Sequence, residues 1–87
     1  MARYRLEIKH SAAHEIEGLP TKKVRRLIVE PIGKLAADPR PSGCEKVAGI
    51  DCYRVRQGPY RIVYEVDDAT RIVRVVKVGH RREVYRR

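Results

Sequence analysis

The sequence predicts an α+β fold: an N-terminal strand, two helices, then an antiparallel meander of three to four strands, with the helices packed on one face of the sheet. Three observations carry this prediction. Over residues 4–8 the apolar Tyr4, Leu6 and Ile8 alternate with Arg5 and Glu7, the two-residue period of a half-buried strand. Over residues 24–36 apolar side chains recur every three or four positions, the period of one helical face. Beyond Gly43 the composition turns to β-formers divided by short polar turns.

Each element follows in order. After the first strand, Ser11 is placed to cap a helix through "AAHEIEGL", with Ala12, Ala13 and Ile16 facing inward and Gly18 and Pro20 ending it. Thr21 caps the second helix, whose inward stripe is Val24, Leu27, Ile28, Ile32, Leu35 and Ala36. Pro31 falls inside that stripe. It removes one backbone hydrogen bond and crowds the carbonyl four residues earlier, which predicts a kink near Leu27 or a break into two shorter helices. "DPRPSG", residues 38–43, is a loop. "CEKVAG", "CYRVR" and "YRIVYEV" are strands, and "TRIVRVVKV", apolar on both faces in its second half, is expected at the centre of the sheet. "QGP" and "DDA" are short enough for antiparallel hairpins. With no internal repeat and no low-complexity linker, the chain reads as one domain, 1–87.

Twenty Lys and Arg against eleven Asp and Glu give a net charge of +9, which suits a polyanionic partner: nucleic acid, a lipid headgroup surface or an acidic protein. No run is apolar for long enough to span a bilayer, so a soluble, cytoplasmic protein with no membrane association is expected. Cys44 and Cys52 form no CxxC pair, which argues against a thioredoxin-like motif or a structural zinc site. They are expected as reduced, half-buried thiols; a disulfide would require them to face each other across neighbouring strands. His10 and His14 have the spacing of helical metal ligands, but Ser11 as cap would leave His10 outside the helix, and no third ligand lies near. No metal site and no cofactor are expected.

The arginines of the strands carry the functional signal. In "CYRVR", Arg54 and Arg56 leave one face about 7 Å apart at the usual strand rise, while Tyr53 and Val55 point to the core. On the next strand Arg61, Val63 and Glu65 share a face, so hairpin pairing brings Arg61 beside Arg54 and Arg56. Any single arginine there is explained by solvation of an exposed strand face and protection against edge aggregation. Three together repel one another unless an anion screens them, which suggests a phosphate-binding role. The segment "VGHRREVYRR" adds His80, Arg81, Arg82, Tyr85, Arg86 and Arg87 close to where the last strand ends, and Val84 and Tyr85 are residues able to dock it.

"VAGIDCYRVRQGPYRIVYEVDDATRIVRVVKVGHRREVYRR" resembles the RelE family of bacterial toxin–antitoxin systems, in its strand pair, its YR-hydrophobic-hydrophobic-Y strand and its VG-H/K-R…VY ending. The first strand, the helix pair and the "ADPRPSG" loop also fall where that family has them. The resemblance implies a small endoribonuclease that enters the ribosomal A site with contacts to 16S rRNA, cleaves the mRNA there, and is held inactive by a RelB-like antitoxin.

Metal-free RNA cleavage requires a deprotonated 2′-hydroxyl, stabilisation of the charge developing at phosphorus, and protonation of the leaving 5′-oxygen. The resemblance carries these roles onto Arg54 and Arg56 as the RNA-binding basic pair, Arg61 as the grip on the scissile phosphate with Arg81 beside it in the catalytic set, Arg82 and Arg86 as further RNA-binding cations, and Tyr85 as a base-stacking or hydroxyl-orienting catalytic group. Some RelE relatives have lysines at the basic pair and use one as proton acceptor. Arginine stays protonated in proteins, so that role passes here to His80, with an unperturbed histidine pKa of ~6.5, or to Tyr85. Two other functions share parts of this pattern: a ParE-like toxin that inhibits DNA gyrase, and a non-catalytic RNA-binding module in which the arginines only hold phosphates.

Overall fold

The computed structural model describes residues 3–49 and 51–81. Over these residues the chain runs through β1 (Arg5–Ile8), α1 (His10–Glu17), α2 (Lys22–Lys34), β2 (Glu45–Lys46), β3 (Tyr53–Gln57), β4 (Tyr60–Asp67) and β5 (Ile72–His80). The strands form one sheet in the order β1-β5-β4-β3-β2. β2 to β5 make the predicted antiparallel meander, and β1 joins its far side parallel to β5, pairing Arg5 with Ile72 through Ile8 with Val75.

The core lies between the helices and one face of this sheet. Ala12 and Ile16 of α1, Ile28 and Ile32 of α2, and Leu35 pack against Ile62, Tyr64, Val73, Val75 and Val78. Burial of such side chains stabilises by about 1.5–3 kcal/mol each, which is what holds the helices on the sheet. Thr21 caps α2 as its sequence position predicts, its hydroxyl accepting from the Val24 N–H at 3.1 Å.

Several expectations are corrected. α1 begins at His10 with Lys9 in the cap position, so Ser11 is not the cap and His10 lies within the helix. The cause is the sheet: the Lys9 N–H donates to Val75 O, and the Lys9 carbonyl accepts at once from the Ala13 N–H, which turns the chain directly from strand to helix. α2 does not break at Pro31 but continues to Lys34. The proline removes a single ladder bond, while buried Ile28, Ile32 and Leu35 on both sides of it hold the turn against the sheet. Leu27, expected in the inward stripe, is exposed at 46%. β5 is an interior strand but not the central one; β4 takes the middle place because β1 adds beside β5.

The apolar second half of β5 has its own explanation. Tyr64 pairs with Val75 and Val63 with Lys77, so the register slips by one residue at a bulge. Val75 and Val78 therefore both face the helices, while Val76 packs with Val63 and Cys52 in a small second cluster. The two cysteines are thereby separated. Cys52 belongs to that second cluster, whereas Cys44 stands beside the hydroxyl of Tyr64, a residue of the helix-side core, so no disulfide joins them.

Candidate functional site

The hairpin between β3 and β4 builds the site. Its two-residue turn, Gly58 and Pro59, needs a left-handed first residue, and Gly58 supplies it with φ +58°. This turn fixes the register that sets Arg56 directly across from Arg61 and Arg54 across from Val63. Tyr53, Val55 and Tyr60 pack towards the helix-side core, so by strand alternation Arg54, Arg56 and Arg61 share the opposite, open face. The three-arginine row expected from the sequence is present.

Its members differ in the acceptors that face them among the described residues. A single oxygen of Glu45, on β2, lies 2.9 Å from Arg54 Nη2 and 3.4 Å from Arg56 Nη2, and it also accepts from Arg54 Nε at 2.9 Å. Arg61 donates from Nη1 to the carbonyls of Gly58 and Tyr60, at 3.1 and 2.9 Å. Among the described residues no carboxylate pairs with Arg61. Two carbonyls orient the guanidinium without neutralising it, leaving its other N–H groups for an incoming anion. Arg81 stands just past β5 beside the same turn, its backbone N–H donating to Pro59 O at 2.8 Å.

His80 has a different position. It pairs in register with Tyr60, and the two rings meet edge to face at 5.8 Å. Tyr60 faces the helices, so the His80 imidazole lies on the reverse side of the sheet from Arg61, lining a cavity of about 500 Å3 with Leu19, Pro20, Tyr60 and Lys77. Gly79 lies between the two sides. It is the register partner of Arg61 and carries no side chain, and β1 pairs with β5 only as far as Val75. Arg82, Tyr85 and Arg86 fall outside the described residues. No group of three His, Cys, Asp or Glu side chains among the described residues is arranged to hold a metal ion.

The sequence reading did not single out Glu45, Glu15, Lys77 or Tyr60. Glu45 had a legible signal, since a carboxylate on the strand before "CYRVR" is placed to meet Arg54 across a hairpin. Glu15 and Lys77 are 62 residues apart in the chain, and nothing local connects them.

A small sheet covered on one face by two helices, with a basic row on its open face, defines a class that the comparisons identify. The family model described as the ParE toxin of type II toxin-antitoxin system, parDE, matches residues 6–85, and the chain belongs to that family of toxins. The similar proteins place it in the RelE/ParE superfamily of toxin-antitoxin toxins. Toxin RelG of Mycobacterium tuberculosis (strain ATCC 25618 / H37Rv) is 28% identical over 87 residues, 97% of this chain and 98% of that one. A mutant of E. coli toxin RelE in the free state superposes with a TM-score of 0.76 at 32% identity, covering 95% of this chain and 90% of that one. The RelE of an archaeal RelE-RelB complex from Pyrococcus horikoshii OT3 gives 0.76 at 27% identity over 95% and 99%.

Proposed function

We propose that this toxin is a metal-independent endoribonuclease that cleaves mRNA in the ribosomal A site. The observation that carries the reading is the pairing of Arg56 with Arg61 across β3 and β4, on an open face where Arg61 has no carboxylate partner among the described residues. In this reading Arg61 forks onto the scissile phosphate and stabilises the charge developing at phosphorus, while Arg54, Arg56 and Arg81 hold flanking phosphates. Arg82 and Arg86 are assigned further RNA-binding roles by the family resemblance alone.

Proton transfer is assigned to His80, with Tyr85 as the competing group. Because the imidazole and Arg61 lie on opposite sides of β5, this assignment requires the RNA linkage to reach round the end of β5 near Gly79. The substrate is mRNA seated against 16S rRNA, the compartment is the cytoplasm, and the whole chain acts as one toxin domain. A RelB-like antitoxin is the proposed inhibitor, supported by the antitoxin in the Pyrococcus complex. An acidic or amphipathic antitoxin segment covering the arginine face would block phosphate access, and its affinity should fall with salt.

Primer extension on mRNA in a translating extract tests the reading: cuts within A-site codons are expected, and their absence overturns it. His80→Gln with cleavage unchanged would remove His80 and leave Tyr85. One observation favours a second reading: the matching family model is that of ParE toxins. Loss of gyrase supercoiling activity with intact mRNA would establish that alternative, and RNA binding with neither effect would reduce the protein to a binding module.

A further inference from the structure

β5 is paired with β1 only as far as Val75, yet the chain continues along the β4 side alone through Val78, Gly79 and His80. The exposed side of this strand end would leave a half-buried backbone donor without a partner. Glu15 of α1 fills the gap. Its Oε1 accepts from the Val78 N–H at 2.9 Å, and its Oε2 lies 3.5 Å from Lys77 Nζ. Glu15 adjoins Ile16, which is anchored with Ala12 in the core, so the carboxylate projects from a rigid helix.

We infer that Glu15 is a positioning residue: its carboxylate takes the place of the missing neighbour strand and fixes where Gly79, His80 and Arg81 stand relative to Arg61. A charge-assisted bond to a backbone N–H is shorter and stronger than a neutral one, and it acts on the main chain itself. Lys77 balances the carboxylate from the adjacent residue. The functional half of the inference rests on the RNA-cleavage reading; the placement of the strand end does not. In that reading a shift of about 1 Å at Gly79 separates the phosphate grip from the proton-transfer group, and misplacement of that size costs roughly a hundredfold in rate.

The test compares Glu15→Ala, Glu15→Gln and, as control, Glu17→Ala on the exposed side of the same helix, using the full chain. Amide exchange at Val78 and the melting temperature report on structure, and A-site cleavage is separated into kcat and KM. Glu15→Ala is expected to speed Val78 exchange about tenfold or more. It should lower kcat roughly ten- to hundredfold with KM within about twofold, and Glu15→Gln, which keeps an acceptor, should restore most of both. Unchanged Val78 exchange in Glu15→Ala overturns the inference. So does a kcat loss matched by a general fall in melting temperature, or a Gln variant as defective as Ala. If the unmodified protein gives no cleavage, the nuclease reading fails separately. The Val78 exchange and the ring-current shift between Tyr60 and His80, read by NMR in the same variants, then decide the placement of the strand end.

Discussion

At one end of the sheet Arg40 donates from Nη1 and Nη2 to the two oxygens of Asp68, at 3.2 and 2.9 Å, and from Nε to the Tyr53 hydroxyl at 3.1 Å. Its guanidinium lies 5.1 Å from the centre of the Tyr53 ring, and Tyr4 donates its hydroxyl to Asp68 Oδ1 at 2.6 Å. On the opposite face Arg54 and Arg56 share one oxygen of Glu45, and among the described residues Arg61 meets only backbone carbonyls. Both regions hold arginines against the sheet. They differ in how many acceptors each cation receives. Arg40 has a carboxylate to itself, so its charge serves the fold, tying the 38–43 loop and the turn after β4 to β3. Nearby, the buried Tyr64 hydroxyl donates to Pro39 O at 2.7 Å and pins the same loop; burial first, then the adjacent Cys44, pushes that phenol well above the usual tyrosine value. Among the described residues Arg61 has no carboxylate beside it, and positive charge of that kind on an open face is what binds an anion.

This comparison can be broken by mutation. The largest effect is expected from Arg61→Ala, which should lower A-site cleavage roughly 10²–10³-fold, as loss of a transition-state donor does, while the melting temperature barely moves. Arg61→Lys should recover little, because a single ammonium cannot reproduce the planar fork. A loss of folding on Arg61→Ala would instead class this arginine with Arg40. Next in size, Arg54→Ala with Arg56→Ala should weaken RNA binding and reduce the slope of log K against log salt by about 1.4, the value for two phosphate contacts on single-stranded RNA. An unchanged slope would mean that neither touches phosphate.

Smaller effects sharpen the contrast. Glu45→Gln removes the carboxylate that the arginine pair shares, so RNA affinity measured by titration at low salt should rise a few-fold. A fall would show that Glu45 orients the pair more than it neutralises it. The smallest effect is at the far end, in pH dependence. The hydrogen bonds from Arg40, then from Tyr4, hold the Asp68 carboxyl down to about 2, below an ordinary unfolded value of ~3.9. A depressed carboxylate stabilises the fold fully above about pH 4 and loses that contribution as pH falls towards 2. The melting temperature difference between the unmodified protein and Asp68→Asn should therefore be present at neutral pH and shrink over that acid window, with RNA affinity at neutral pH unaffected. A difference that stays constant down to pH 2 would mean the carboxylate charge contributes nothing.

Local patterns in the chain determined the α+β class, the order of strand, helices and meander, the Thr21 cap, and the shared face of Arg54, Arg56 and Arg61. These follow from periods of two and 3.6 residues and from a turn of fixed length, all set by neighbours within a few positions. Tertiary structure alone decided that β1 lies parallel to β5, that a bulge at Val76 resets the alternation, that Cys44 and Cys52 sit on opposite sides, and that His80 faces the helices while Arg61 faces out. The physical reason is common to these four. Each depends on which segments distant in sequence come to share a hydrogen-bond ladder or a core, and only the packed chain specifies that.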